Sequence, residues 1–481
     1  MLKRILVGVL GVFLVLVTVI AVKTSLYRPA DIPAAEPFEF AIDREKVIAD
    51  MAQAVQFKTV STKMTHPDFR GFLAFLEATY PGVYATMDRV ELEPVTPLFK
   101  WQGQNPDLQP ILLAAHYDVV PVPPFSLDKW DYPPFSGHVA DGYVWGRGTL
   151  DNKGALIALM ATAEQLIADG FTPQRTIYFS FGGDEETGGQ GAIAVADYLT
   201  AQNVRLDWAL DEGSFVLDKI IPGLDVPVAS INPAEKGYVT ITLAATAEGG
   251  HSSMPPRETA VGQLSRAVFR LQEAPVPGGL TGVSAEFFDA LGRHFTLEKR
   301  AIFANLWLFD SVLEGILAGA PSTDAMLRTT TAPTMLSGSP KANVLSMRAT
   351  ATINFRLHQR DTVDDIVEHV RKAIDDEDIE IIVDREFASP ASPVSDSQAQ
   401  GYLDIEASIR EAFGPIATVP GLTIAATDAR HYAKVADDAY RINPFKITND
   451  DLTRFHGLNE RLSIENVQAG INFYAALIMK Q

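Results

Sequence analysis

The chain has 481 residues, more than one typical core needs, so two domains are expected. Its formal charge of −20, from 40 Lys and Arg against 60 Asp and Glu, leaves no basic stripe and argues against a nucleic-acid partner. There is no cysteine, which excludes disulfides, thiolate metal sites and a cysteine nucleophile. Any metal must then be held by imidazole and carboxylate, a donor set that suits zinc, manganese or cobalt.

Residues 1–27 carry a membrane signature. Lys3 and Arg4 precede an apolar run from Ile5 to Val22 that closes at Lys23. That run is at the short limit for a spanning helix and slightly long for a signal-peptide core. No convincing cleavage site follows it, so an uncleaved anchor is favoured over a cleaved signal. The basic residues ahead of the run place the bulk of the chain outside the cytoplasm (periplasmic or luminal, or secreted if the segment is removed), although Lys23 and Arg28 weaken that assignment. Residues 28–38 read as a Pro-rich spacer.

A helix is expected from about Asp43 to Val55, where apolar positions recur at helical spacing. ILLAA at 111–115 is a short unbroken apolar run, as a buried parallel strand should be, and it ends at His116. Residues 154–168 read as a helix. TIYFSF at 176–181 is another buried strand and runs into the GGDEETGG turn, while WAL at 208–210 ends at Asp211. Strand and helix alternation predicts a doubly wound α/β domain over 39–234, in which ligands sit beyond the carboxyl ends of strands. Near residue 235 the pattern changes to strands of alternating polarity. A β-α-β-β-α-β order over 235–388 predicts an inserted ferredoxin-like α+β lid, with a helical insertion of its own at about 275–325. Residues 389–481 return to the catalytic domain.

The chemistry-bearing residues cluster at the predicted strand ends. Buried carboxylates need a proton or a cation, and several of them beside histidines imply metal. His116 and Asp118 form H-x-D, with Asp118 suited to orient the imidazole. Asp151 lies in WGRGTLDNKG; a helix N-cap would explain the Asp, but neither the glycines upstream nor the histidines. Glu185 and Glu186 are enclosed by glycines, and because adjacent side chains diverge, one can bind metal while the other faces water. Asp211 and Glu212 pose the same ambiguity; Asp211 is chosen as the ligand because it is the first residue past the apolar run. His456 in FHGLNER completes the set. Two histidines, two terminal carboxylates and one bridging carboxylate suit a pair of zinc ions and leave one glutamate free to take a proton from water. In the lid, His251 could stabilise an oxyanion on domain closure. Arg356, with Asn343 nearby, suits capture of a substrate carboxylate.

The segments AAHYDVVPV, GYVWGRGTLDNKG, FGGDEETGGQGA, LDEG, GGHSSMPP, TDARHY and FHGLNERL, in this order over roughly residues 40–481, resemble the M20 metallopeptidases. The likeness is greatest to the branch of carboxypeptidase S and the N-fatty-acyl-amino-acid synthase/hydrolases. The resemblance implies two zinc ions, for which manganese or cobalt could substitute. His116, Asp151 and Asp211 would hold one; Asp151, Glu186 and His456 the other. It further implies Glu185 as general base, His251 polarising the carbonyl oxygen, Arg356 and Asn343 holding the substrate carboxylate, and a cis bond between Asp151 and Asn152. Asp428, Arg430 and His431 would line the site. The expected substrates are short peptides cut at the C-terminus or N-acyl amino acids, with a homodimer through the lid as a further expectation. The rival readings are an aminopeptidase or other deacylase of related architecture and a non-catalytic binding module.

Overall fold

The computed structural model describes residues 2–29, 38–224 and 226–481, so most of the Pro-rich stretch 28–38 lies outside the described residues. The chain builds two main sheets with separate hydrophobic cores. At the centre of the larger, ten-stranded sheet, Ile177–Gly182, Ile111–His116, Leu206–Asp211 and Ala436–Arg441 run parallel in that spatial order. The first two are buried along their whole length. Side chains alternate across the sheet, and the two faces are covered differently. Ile111, Leu113, Ile177 and Phe179 pack with the helices Lys153–Ala168 and Ile464–Met479. Leu112, Ala114 and Tyr178 pack with the helix Gln190–Ala201. Cover on both faces is why these strands read as unbroken apolar runs.

The sheet is mixed rather than wholly parallel. Asp88–Leu92 and Thr96–Trp101 form an antiparallel hairpin, and the second of these runs antiparallel to Ile177–Gly182. Residues 93–95 are too few for a crossover helix, so the pair can only fold back on itself. On the other side, Val228–Glu235 meets Ala436–Arg441 antiparallel at Arg441 and Asn232. The predicted opening helix is found at Arg44–Gln56, where Asp43 caps it by accepting the Lys46 N–H at 3.1 Å.

The second sheet is antiparallel, in the spatial order Thr330–Ser337, Arg348–Leu357, Gly237–Thr246, Ile379–Ser389. Its strands alternate in burial: Val239, Ile241, Leu243, Ala351, Ile353 and Phe355 face inward. They pack on the helices Ala260–Glu273 and Val363–Ile374, the latter opened by a capping box between Thr362 and Asp365. Between the first helix and the second strand the chain inserts four helices, Val283–Gly292, Leu297–Phe303, Leu306–Leu317 and Pro321–Leu327.

Two further features place the ends of the chain. Helix Leu2–Leu26 is long and apolar enough to cross a membrane, with mean hydropathy 3.2 and no burial along its most apolar stretch. Near the C-terminus, Arg461–Ser463 pairs antiparallel with Tyr143–Trp145, and Arg461 stacks 3.9 Å from the Tyr143 ring centroid. This small sheet brings the loop carrying His456 beside the loop carrying Asp151.

Candidate metal centre and active site

Three of the central strands end in ionisable side chains. His116 closes Ile111–His116, Glu185–Thr187 forms one turn after Ile177–Gly182, and Asp211 closes Leu206–Asp211 with Glu212 following. Asp151 stands ahead of the helix Lys153–Ala168, behind a cis peptide bond to Asn152. Its two carboxylate oxygens face different imidazoles: Oδ1 lies 3.0 Å from His116 Nε2 and Oδ2 lies 3.0 Å from His456 Nε2. His116 Nε2 is also 3.2 Å from Glu212 Oε1, and His456 Nε2 is 3.3 Å from Glu186 Oε1. His116, Asp151 and Glu186 gather ligand atoms within 4.8 Å of one another, as do His116, Glu185 and Glu212.

The backbone explains why these groups converge. Asp118 is fully buried and accepts the N–H groups of Glu185 at 3.2 Å and Glu186 at 3.1 Å, fixing the acidic turn. Its Oδ1 is also 3.3 Å from His116 Nδ1, and its carbonyl oxygen is 3.1 Å from the same nitrogen. Asp184 accepts from Gln190 N–H at 2.7 Å and Gly191 N–H at 3.0 Å, bracing the turn on the helix behind it. Gly189 is required there: its φ is +68°, and a Cβ would stand 2.1 Å from Asp428 Oδ1.

The electrostatics call for a cation. With Nδ1–H donating to the Asp118 carbonyl, a neutral His116 ring aims its Nε2 lone pair at two carboxylates. Only a proton or a cation between them relieves that repulsion. Burial, reinforced by Asp151, pushes Glu212 up to about 8, and burial raises Glu185 and Glu186 as well. Hydrogen bonding to Asp151 and Glu186 pushes His456 up to about 10. For His116, burial pulls the other way, but Glu212, Asp118 and Asp151 prevail and raise it. The polar neighbour of Glu186 Oε1 is this same His456 Nε2, at 3.3 Å. Imidazole and carboxylate donors crowded in this way fit hard or borderline divalent metal ions, zinc among them.

Asp211 makes no hydrogen bond or ion pair to His116 among the described residues. Its Oδ1 accepts the Glu212 N–H at 2.9 Å, its Oδ2 has no hydrogen-bond partner among the described residues, and burial raises its pKa to about 6. Of the two adjacent acids, Glu212 is the one 3.2 Å from His116 Nε2.

Of the residues expected from the second sheet, His251 and Asn343 share one short ribbon. His251 pairs with Val344, and the Asn343 carbonyl accepts the Ser252 N–H at 3.2 Å. His251 is exposed, its Nδ1 2.7 Å from Ser253 Oγ. Neither side chain hydrogen-bonds the acidic cluster among the described residues. Arg356 is half-buried, its guanidinium 5.0 Å from the Tyr238 ring centroid. Its pKa is lowered by burial and by Arg430, which itself donates to the Gly188 carbonyl at 3.3 Å. Asp428 is buried against Gly182 and Gly189, and burial with the charge of Asp211 raises its pKa.

Two residues outside the expected set hold the centre together. Glu460 is completely buried. It accepts from Arg147 Nη1 at 2.5 Å and from the N–H groups of Gly148, Leu150 and Asp151 at 2.9, 3.0 and 3.3 Å. Arg147 Nη2 in turn donates to the Gly457 carbonyl, next to His456, at 2.9 Å. No local pattern marks this pair, because its partners lie 313 residues apart.

The model of the peptidase family M20/M25/M40 matches residues 112–480. A probable carboxypeptidase S-like protein from Dictyostelium discoideum is 40% identical over 437 residues, covering 89% of this chain and 83% of that one. An N-fatty-acyl-amino acid synthase/hydrolase from Xenopus tropicalis is 38% identical over 444 residues, with 91% and 86% covered. Among solved structures, an M20 family metallo-carboxypeptidase from Sulfolobus solfataricus shares the fold with a TM-score of 0.64 at 18% identity, covering 90% of this chain and 98% of its own. The chain belongs to the peptidase family M20/M25/M40 and is a metal-dependent enzyme that hydrolyses amide bonds.

Proposed function

We propose that the enzyme binds two zinc ions and cleaves amides whose amine side is an amino acid with a free carboxylate, as in short peptides cut at the C-terminus or N-acyl amino acids. The observation that carries this reading is Asp151, whose two oxygens face His116 and His456 separately. In this reading His116, Asp151 and Glu212 hold one ion, and Asp151, Glu186 and His456 the other, with Glu212 replacing Asp211 in the expected set. Zinc in such a site supplies Lewis acidity toward water and an amide carbonyl.

The remaining steps fall to the chain itself. Glu185 is half-buried beside the cluster, and its raised pKa suits a group that accepts a proton from water and passes it to the leaving nitrogen. Asp118 holds the Glu185 backbone and the His116 ring in register. The unit 235–388 acts as a lid: Arg356 and Asn343 take the substrate carboxylate, and His251 reaches the carbonyl oxygen when the lid closes. Helix Leu2–Leu26 anchors the enzyme in a membrane, with the catalytic part outside the cytoplasm. The N-fatty-acyl-amino acid synthase/hydrolases among its relatives favour a lipidic acyl group as one substrate class.

The test is hydrolysis by the zinc-loaded full chain of a long-chain N-acyl amino acid, an N-blocked dipeptide and an aminopeptidase amide. Cleavage of either of the first two, abolished in Glu185→Gln, is expected. Cleavage of the aminopeptidase amide alone would contradict the proposal.

A further inference from the structure

The four inserted helices do more than lengthen the second unit, because the end of the N-terminal helix is built into them. Thr24 and Tyr27 are buried. Tyr27 joins Phe288, Phe303, Leu313 and Leu327 in one cluster, and its hydroxyl donates to the Asp289 carbonyl at 2.5 Å. Arg293 lies over the Tyr27 ring at 4.6 Å, and Asn305, fully buried, brings its Nδ2 to 3.4 Å from Thr24 Oγ1. A helix with the length and hydropathy of a membrane span therefore ends on the insertion, which must lie where that helix leaves the bilayer.

The helix Leu306–Leu317 starts at that junction, where Lys23 Nζ sits 5.6 Å from the Trp307 ring centroid. At about 100° per residue, Trp307, Leu308, Ser311, Val312, Gly315 and Ile316 fill an arc of about 180°. None of the six is charged. Trp307, Leu308, Val312 and Ile316 are 55%, 43%, 58% and 61% exposed, while Leu313 on the other side is buried in the insertion's core. Asp310 and Glu314 fall outside the arc, and Glu314 lies 4.0 Å from Arg328. An uncharged, exposed apolar arc of this kind marks a binding surface. A tryptophan at its head, beside a lysine able to reach headgroups, is the composition of a membrane interface.

We propose that helix Leu306–Leu317 lies in the lipid interface beside the anchor, so that the enzyme touches the bilayer at two places, the span and the lid insertion. This rests on the reading of Leu2–Leu26 as a membrane span. The occupant is the bilayer, because the apolar arc is continuous with the helix end that the bilayer would surround. Two attachments would hold the insertion against the membrane surface rather than let it swing on a single tether.

The chain supplies its own probe. Four of its five tryptophans, Trp101, Trp130, Trp145 and Trp208, are buried, and Trp307 is the exposed one. The full chain is reconstituted in phosphatidylcholine vesicles with and without brominated acyl chains. Bromolipid is expected to quench part of the tryptophan emission. That quenched part should vanish in Trp307→Phe and fall in Val312→Asp/Ile316→Asp, whose changed side chains are exposed and leave the core intact. Vesicle flotation separates the two claims. A chain that fails to float overturns the anchor and this proposal together. A chain that floats while its Trp307 is quenched by aqueous iodide and not by bromolipid overturns this proposal alone. Trp307 shielded from both quenchers would mean that a second copy covers the arc, which also overturns it.

Discussion

Replacing Glu460 by Gln removes a charge from a completely buried pair without changing its volume. The carboxylate takes one charge-assisted bond from Arg147 and three backbone N–H bonds, the last from Asp151 itself. Breaking a buried ion pair by removing one partner costs about 3–5 kcal/mol, because the other charge is left uncompensated. The amide oxygen of Gln keeps an acceptor for part of the backbone set, so the lower end, about 3 kcal/mol, is expected. Function should suffer as well, since the same contacts tie the Asp151 loop to the His456 loop, and a misplacement of about 1 Å in a catalytic group can cost ~100-fold. Urea unfolding followed by circular dichroism gives the stability change, and competition with a chelator gives the zinc affinity. Arg147→Met/Glu460→Leu, which removes both charges, should recover most of the stability while metal affinity stays low. A Glu460→Gln enzyme within about 1 kcal/mol of the parent, with unchanged zinc affinity, would refute the reasoning.

Three further outcomes follow from the same geometry. Glu212→Gln should weaken zinc binding by more than the ~10–100-fold typical of outer-shell partners, whereas Asp211→Asn should leave metal content intact; calorimetric titration that shows the reverse would restore Asp211 as the ligand. Arg356→Ala should raise KM for substrates with a free carboxylate by about 10–150-fold, the equivalent of a charge-assisted hydrogen bond, with little change for their methyl esters; equal effects on both would remove Arg356 from carboxylate recognition. Lys236 is buried, donates to the carbonyls of Ala325 and Arg328, and is lowered by burial from 10.5 to about 7. Between those values the unfolded chain binds the proton that the folded chain lacks, so stability should rise with pH across the window. Unfolding midpoints should show that slope in the parent and a flatter one in Lys236→Met; identical slopes would mean that Lys236 stays charged in the fold.

Much of the site could be read in the sequence because strand ends are marked by chemistry. ILLAAH and TIYFSFGGDEE pass from buried, mostly apolar residues to ionisable ones, and the structure gathers those residues at the carboxyl edge of the central strands. What stayed hidden depends on direction and distance. Asp211 and Glu212 are adjacent acids, and only the backbone direction at the strand end decides which one meets His116. Glu460 looks like a loop charge until Arg147 and three amide N–H groups are folded around it. The antiparallel edge of the sheet went unread because TPLFKW, covered on both faces, has no alternation to set it apart from a parallel strand. The apolar insertion showed as helices, but its junction with Thr24 and Tyr27 joins residues far apart in the chain.

The central claim is tested most directly by titrating the metal-free full chain with zinc, following bound metal and hydrolysis of an N-acyl amino acid together, with Glu185→Gln in parallel. The account predicts two zinc equivalents per chain in both proteins, with activity following occupancy in the parent and absent from the variant. Saturation at one equivalent, or an active Glu185→Gln enzyme, would contradict it.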